Sequence, residues 1–284
     1  MALTINTNIA SLNAQRRLSQ STGDLRQSFE KLSSGLRIVR ARDDAAGLAI
    51  ADALRADQRI AGVAIRNAND GISMISISDG ALNEIGNVLT RMAELAEQSA
   101  NGTLGVSQRS ALQQEFVSLG SEIQRIASTT SFNGIQLLSG GSTVQLQVGF
   151  DSAATAQISF TGVQGTLEAL GLASSGSAAL TYSLQASSDS QGAALSSLDA
   201  VKAAISSLTT TRGSLGSVES RLTVAVNNLQ VARENFASAE SQIRDVDVAQ
   251  EAANLTRLNI LQQAGAAVLA QANQQPALAL ALLG

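Results

Sequence analysis

The chain has 284 residues, enough for one or two domains, yet it holds only 2% aromatic residues, one Pro, and no His, Cys or Trp. Without His or Cys, His-based acid–base chemistry, Cys and Ser–His nucleophiles and nearly all zinc sites are excluded. The remaining carboxylates, lysines, hydroxyls and Tyr182 show no clustering that suggests catalysis, so neither an enzyme nor a cofactor is expected. A formal net charge of −4, with Arg and Lys scattered along the chain, gives no basic footprint for nucleic acid.

Residues 1–15 carry no charged side chain, yet they begin an apolar stripe at helical spacing: Ile5, Ile9, Leu12, then Leu18, Leu25, Phe29, Leu32 and Leu36. A conventional cleavable signal is not expected, because the start lacks the basic segment, the continuous apolar run and the small-residue cleavage site. Arg42-Asp43-Asp44 invites a metal or acid–base reading, but paired acids beside an Arg more often cap a helix start, where the dipole favours negative charge.

Leu82, Ile85, Leu89, Met92, Ala96 and Ser99 step by three and four, and so do Leu112, Phe116, Leu119, Ile123 and Ile126. These are coiled-coil seams. Asn101-Gly102-Thr103 and Gly105 between them mark a reversal into an antiparallel helix. Asn101 and Asn254 also fit the N-glycosylation sequon, though turn chemistry and chance explain both better.

From 139 to 194 the chain is rich in Ser, Ala, Gly and Thr, with only Asp151, Glu168 and Asp189 charged. Val144, Leu146, Val148 and Phe150, then Ile158 and Phe160, then Leu180, Tyr182 and Leu184 keep the period of two, predicting short hairpins. Helical patterning returns with Leu215, Val218, Leu222, Ala225, Leu229, Ala232, Phe236, Ala239, Ile243 and Val246. One helix over about 195–246 would run roughly 75 Å, and it needs the N-terminal seams as partners. The fold class is therefore mainly α: a long antiparallel bundle or coiled coil pairing the N- and C-terminal zones, with a small β region in the middle.

No charge follows Arg257, while Val248, Ala252, Leu255, Leu258, Leu261, Val268 and Leu269, then Leu278, Leu280 and Leu282, continue an apolar pattern. Gln262, Gln263, Gln271, Asn273, Gln274 and Gln275 interrupt it well short of the ~20 apolar residues a membrane span requires. Both ends therefore need apolar partners, which points to a self-assembling subunit.

The motifs carry a family resemblance. Ile5-Asn6-Thr7-Asn8 with Ala10-Ser11-Leu12, Leu32-Ser33-Ser34-Gly35-Leu36-Arg37-Ile38, Asp43-Asp44-Ala45-Ala46-Gly47-Leu48-Ala49-Ile50 and Asn67-Ala68-Asn69-Asp70-Gly71-Ile72-Ser73 occur in the order found in bacterial flagellins. So do Phe132-Asn133-Gly134, Asp245-Val246-Asp247, Leu261-Gln262-Gln263-Ala264-Gly265 and Leu269-Ala270-Gln271-Ala272-Asn273-Gln274. The chain resembles a minimal flagellin without large outer domains.

The resemblance implies inner-core helices over 1–43 and 247–284, an outer bundle from 44–138 and 195–246, and a short β-rich region over 139–194. It implies a polymerisation seam of Ile5, Ile9, Leu12, Leu261, Val268 and Leu269, and an outer-bundle seam through Leu89, Phe116, Leu222, Leu229 and Phe236. Arg91, Leu95 and Glu115 fall where flagellins are recognised by the vertebrate toll-like receptor for flagellin, with Arg91 and Leu95 expected to face outward. Implied partners are copies of the chain, the flagellar export apparatus, a flagellin chaperone, junction and cap proteins at the filament ends, and that receptor. Nucleic acid and membrane are not implied. The expected place is the extracellular filament, reached without a cleaved signal peptide, with Ser and Thr of 139–194 as candidate O-glycan acceptors. The alternatives are the hook–filament junction protein of the same superfamily and a coiled-coil effector or adhesin.

Overall fold

The structure is a computed structural model that describes residues 7–140, 143–150, 153–185 and 189–283, with the side chains of 275–283 excepted. Ile5 and the side chains of Leu278, Leu280 and Leu282 lie outside the described residues. The elements run α1 (Ile9–Ser34), α2 (Ala45–Ala100), α3 (Val106–Thr129), β1 (Ser131–Phe132), β2 (Ile135–Gln136), β3 (Thr143–Gln147), β4 (Gln157–Thr161), α4 (Ser190–Arg244) and α5 (Val248–Leu283). The chain is mainly helical, its terminal helices pack on each other, and a small antiparallel strand region lies mid-chain. It divides into two compact units, Met1–Gln58 with Glu234–Gly284, and Arg59–Arg233.

In the first unit, α1 and α5 are neighbours. Asn8 starts α1 by accepting the Ser11 N–H at 2.9 Å on its side-chain oxygen, an N-cap. Gly35 ends the helix in the left-handed region at φ 72°, a conformation that costs glycine nothing. The chain leaving α1 then meets the chain leaving α4. Leu36 bridges Asp245, the Arg37 N–H donates to the Arg244 carbonyl at 2.6 Å, and the Val246 N–H donates to the Gly35 carbonyl at 3.0 Å.

Asp43 and Asp44 take the capping role expected of them. The Asp44 Oδ1 accepts the Gly47 N–H at 2.8 Å and so starts α2. Asp43 ties the loop before it together, its Oδ2 accepting the Val39 and Arg40 N–H groups at 3.2 and 3.0 Å and its Oδ1 accepting Gln27 Nε2 at 3.0 Å. Among the described residues, no cluster of acidic groups fit to hold a metal ion is found.

In the second unit, the heptad positions become the core. Leu82, Ile85, Leu89, Met92, Ala96 and Ser99 of α2, with Phe116 and Ile123 of α3, are all 0% exposed. From α4, Val201, Ala204, Leu208, Leu215, Leu222 and Val226 close the same cluster. Residues Asn101 to Gly105 make the expected reversal between α2 and α3.

The β region differs from its sequence reading in two places. The outer bundle is expected to run through residue 138, but α3 stops at Thr129 and β1 and β2 form a tight hairpin. Asn133 (φ 49°) and Gly134 (φ 80°) supply the two left-handed residues that such a turn demands. Second, β3 and β4 pair as predicted, Val144 opposite Phe160 and Leu146 opposite Ile158, whereas Leu180–Leu184 forms no strand beyond one bridge from Leu180 to Ala173. Side chains satisfy that backbone instead: Gln113 Oε1 accepts the Leu184 N–H at 2.6 Å, and Ser99 Oγ donates to the Leu184 carbonyl at 3.2 Å. The β3–β4 hairpin lies so close to α2 that a side chain at Gly71 would overlap Leu146.

Candidate functional site: the terminal helix pair and an outward ion-pair cluster

The contact between α1 and α5 mixes small residues with leucines. Ala14, Ser28 and Ala272 are buried together with Leu258, and Gly265 lies under Leu18. Small side chains let two helix backbones approach closely, so these positions set the spacing. A second set of apolar residues points elsewhere: Ile9 is 62% exposed, Leu12 57%, Leu261 48% and Val268 59%, while Leu269 is half-buried. Four of the five described residues expected in the polymerisation seam thus lie mostly outside the helix pair's own contact.

Neutral polar groups fix the register of the pair. Asn8 Nδ2 donates to the Ala272 carbonyl at 2.8 Å, and Ser11 Oγ donates to Asn273 Oδ1 at 2.6 Å. These ties were not visible in the sequence, where Asn8 stood out only as part of a family motif. Beside them runs an open groove floored by Ala14, Leu18, Leu258 and Gly265, with Arg17 and Arg257 at its rim.

Of the residues read as the outer-bundle seam, Leu89, Phe116 and Leu222 are fully buried, Leu229 is 5% exposed and Phe236 is half-buried. Sequence reasoning missed a charged tie between two of these helices. Arg212 of α4 grips Asp79 of α2 at 2.7 and 3.1 Å, and that guanidinium holds the Asp79 carboxyl below its ordinary range. The opposite charges lie 133 residues apart in sequence, so no local spacing rule could have found them.

The third group of predicted residues is split. Arg91 donates from Nε and Nη2 to Glu115 Oε1 at 3.0 and 2.9 Å and from Nη1 to Glu94 Oε2 at 3.0 Å. Hydrogen bonds to Glu115 first, then to Glu94, push the Arg91 guanidinium up from its ordinary value. The expected meeting of Arg91 and Glu115 across the helical reversal is therefore present, on an exposed face.

Leu95 is not on that face. It is 0% exposed and belongs to the core, which corrects the expectation that it points outward beside Arg91. The physical reason is the breadth of the buried arc on α2. A two-partner seam would bury only positions such as Met92 and Ala96, but here α3, α4 and buried residues of the 163–184 segment join one core, so Leu95 is enclosed as well.

Among the described residues, no helix is long and apolar enough to cross a membrane. The family model for the bacterial flagellin N-terminal helical region matches residues 5–143, and that for the C-terminal helical region matches residues 198–283. The flagellin of Halalkalibacterium halodurans is 43% identical over 98% of this chain and 99% of its own length. The flagellin of Bacillus subtilis is 41% identical over 98% of this chain and 99% of its own. Polar flagellin F of Vibrio parahaemolyticus is 35% identical over the full length of both. Near-complete coverage at both ends, together with helices that leave their large apolar groups unpartnered, leads to one assignment: the chain belongs to the bacterial flagellins, non-enzymatic structural subunits that homopolymerise into the flagellar filament.

Proposed function

We propose that this flagellin builds a filament for swimming by burying the outward stripes of α1 and α5 against the same helices of neighbouring copies. The supporting observation is the exposed apolar stripe of the terminal helix pair, where Ile9, Leu12, Leu261 and Val268 are left outside the contact between α1 and α5. Each large aliphatic side chain left outside forgoes about 1.5–3 kcal/mol until something covers it. Contacts between different surfaces of successive copies do not close on themselves and give an open helical polymer.

In this reading 1–43 and 247–284 form the inner layer, 44–138 and 195–246 the outer bundle, and 139–194 the β-rich region. The subunit leaves the cell through the flagellar export apparatus with a flagellin chaperone. In the extracellular filament it meets junction and cap proteins at the ends. The monomer is also recognised by the vertebrate toll-like receptor for flagellin, through the exposed cluster of Arg91 and Glu115, with Leu95 supporting that face from the core and making no contact itself.

The test of assembly adds filament seeds to purified protein and follows sedimentation and electron microscopy. The parent should elongate the seeds, whereas chains lacking residues 1–15 or 270–284 should stay monomeric with most of their helical circular dichroism intact. Filaments from either truncation would sink the proposal. For recognition, Arg91→Ala monomer should activate receptor-reporter cells less than the parent at equal thermal stability, and equal potency would rule the cluster out.

A further inference from the structure

The turn between α2 and α3 carries a chemistry unconnected with assembly. We propose that Asn101 modifies itself: the Gly102 main-chain nitrogen attacks the Asn101 side-chain amide, ammonia leaves, and water opens the resulting ring to aspartate or isoaspartate. In the first step a bond forms between Gly102 N and Asn101 Cγ while the bond from Cγ to Nδ2 breaks; the Gly102 amide proton is lost to solvent, and the departing nitrogen takes a proton from solvent to leave as ammonia. In the second, water adds either at Cγ, leaving aspartate, or at the main-chain carbonyl carbon, leaving isoaspartate. No oxidant or reductant is involved.

Three features of the turn favour the first step. Gly102 has no Cβ, and the place a side chain would take is empty, so no flanking side chain crowds its nitrogen against the Asn101 amide. The Thr103 N–H donates to Asn101 Oδ1 at 3.1 Å, which draws electron density from Cγ and stabilises the oxyanion that attack would create, as donors in an oxyanion hole do. The main-chain oxygen of Asn101 accepts from Arg109 Nη2 at 3.0 Å and from the Leu104 N–H at 3.3 Å. A cation bonded to that oxygen withdraws density from the peptide group that contains the Gly102 nitrogen. Its N–H becomes more acidic, and it is the deprotonated nitrogen that attacks.

The product is also provided for. The new carboxylate would form on the residue whose main-chain oxygen already holds the Arg109 guanidinium, so an opposite charge is at hand. The modified turn gains one negative charge on an exposed surface.

The chain holds its own control. Asn133-Gly134 is the same dipeptide, but it is fixed with φ 49° and 80° between the paired strands β1 and β2, and no guanidinium donates to its peptide oxygen among the described hydrogen bonds. Swinging the Gly134 nitrogen onto the Asn133 amide would require that turn to open.

The experiment ages the purified full-length chain in mildly alkaline buffer and follows both asparagines by peptide mass mapping, with isoaspartate counted by enzymatic methylation. Asn101 should convert about tenfold faster than Asn133, and Arg109→Ala or Gly102→Ala should each slow Asn101 about tenfold without changing Asn133, as expected for a barrier change near 1.4 kcal/mol. In denaturant the two sites should converge. Equal rates in the folded parent, or an Arg109→Ala chain with retained helicity in which Asn101 converts as fast as before, would overturn the proposal.

Discussion

Truncating Leu95 to Ala separates a core role from a surface role. The side chain is 0% exposed inside the cluster formed by α2, α3 and α4. Three carbons leave, at about 0.8 kcal/mol each, so about 2.4 kcal/mol is lost before any cavity is counted. Neighbours such as Phe116 and Met92 are themselves fully enclosed and have little freedom to collapse into the gap. The total should therefore reach about 3–4 kcal/mol, within the range of about 2–5 kcal/mol for such truncations. For a unit of this size the melting midpoint should fall by about 6–16 °C, at about 2–4 °C per kcal/mol. Thermal melting of the monomer by circular dichroism measures this, with Arg91→Ala alongside as a variant on the exposed neighbouring face. If Leu95→Ala melted with the parent yet lost receptor activation, the side chain would face outward and the packing described for α2 would be wrong.

Leu229→Asp should cost at least several kcal/mol, because Leu229 is 5% exposed and an unpaired carboxylate there finds no compensating partner; an unchanged melt would refute the α4 register. Asp43→Asn should loosen the loop before α2 by about 1–3 kcal/mol, since one charged carboxylate now serves the Val39 and Arg40 N–H groups and Gln27. The Arg40 hydrogen bond, then that from Val39, with the charges of Arg42 and Lys31, hold the Asp43 carboxyl below its ordinary value near 3.8 against the opposing effect of burial. A carboxyl depressed by folding contributes stability that is present above its unfolded pKa and is lost as the pH falls through the lower folded one. The parent's Val39 and Arg40 amide resonances should therefore move only below the ordinary carboxylate range, and a midpoint above it would contradict the bonding described. In Asp43→Asn that acid transition should be missing.

How much was legible in the sequence depended on how local the cause was. The seams of α2 and α3 could be read because each heptad position is decided by its neighbours three and four residues away, and Leu82 through Ser99 are buried as the spacing required. Asp44 was legible for the same reason, since a cap acts within three residues. Leu95 was misread because the width of a buried arc depends on how many other elements cover the helix, and periodicity along one helix carries no record of that. Leu180–Leu184 had the alternation of a strand, but strand formation needs a partner backbone, and Gln113 and Ser99 had already taken the hydrogen bonds. The Arg212–Asp79 pair joins residues brought together only by the fold.

The charge-free ends show how composition and assembly constrain one another. Charged side chains are confined between Arg16 and Arg257, and pairs such as Arg91 with Glu115 lie where solvent remains available, although Arg244 and Glu240 pair with each side chain only 14% exposed. A surface destined to be covered by another copy has no such reserve, because a charge buried there without its own partner costs several kcal/mol. The terminal helices nevertheless need polar groups to fix how they lie against each other, since an all-apolar contact can slide by a turn. Asn8 with the Ala272 carbonyl and Ser11 with Asn273 meet both demands. They are neutral, and each makes its hydrogen bond within the chain before assembly, so covering them buries no charge. The stripe of Ile9, Leu12, Leu261 and Val268 can then be buried between copies without the register of the pair having to be found again.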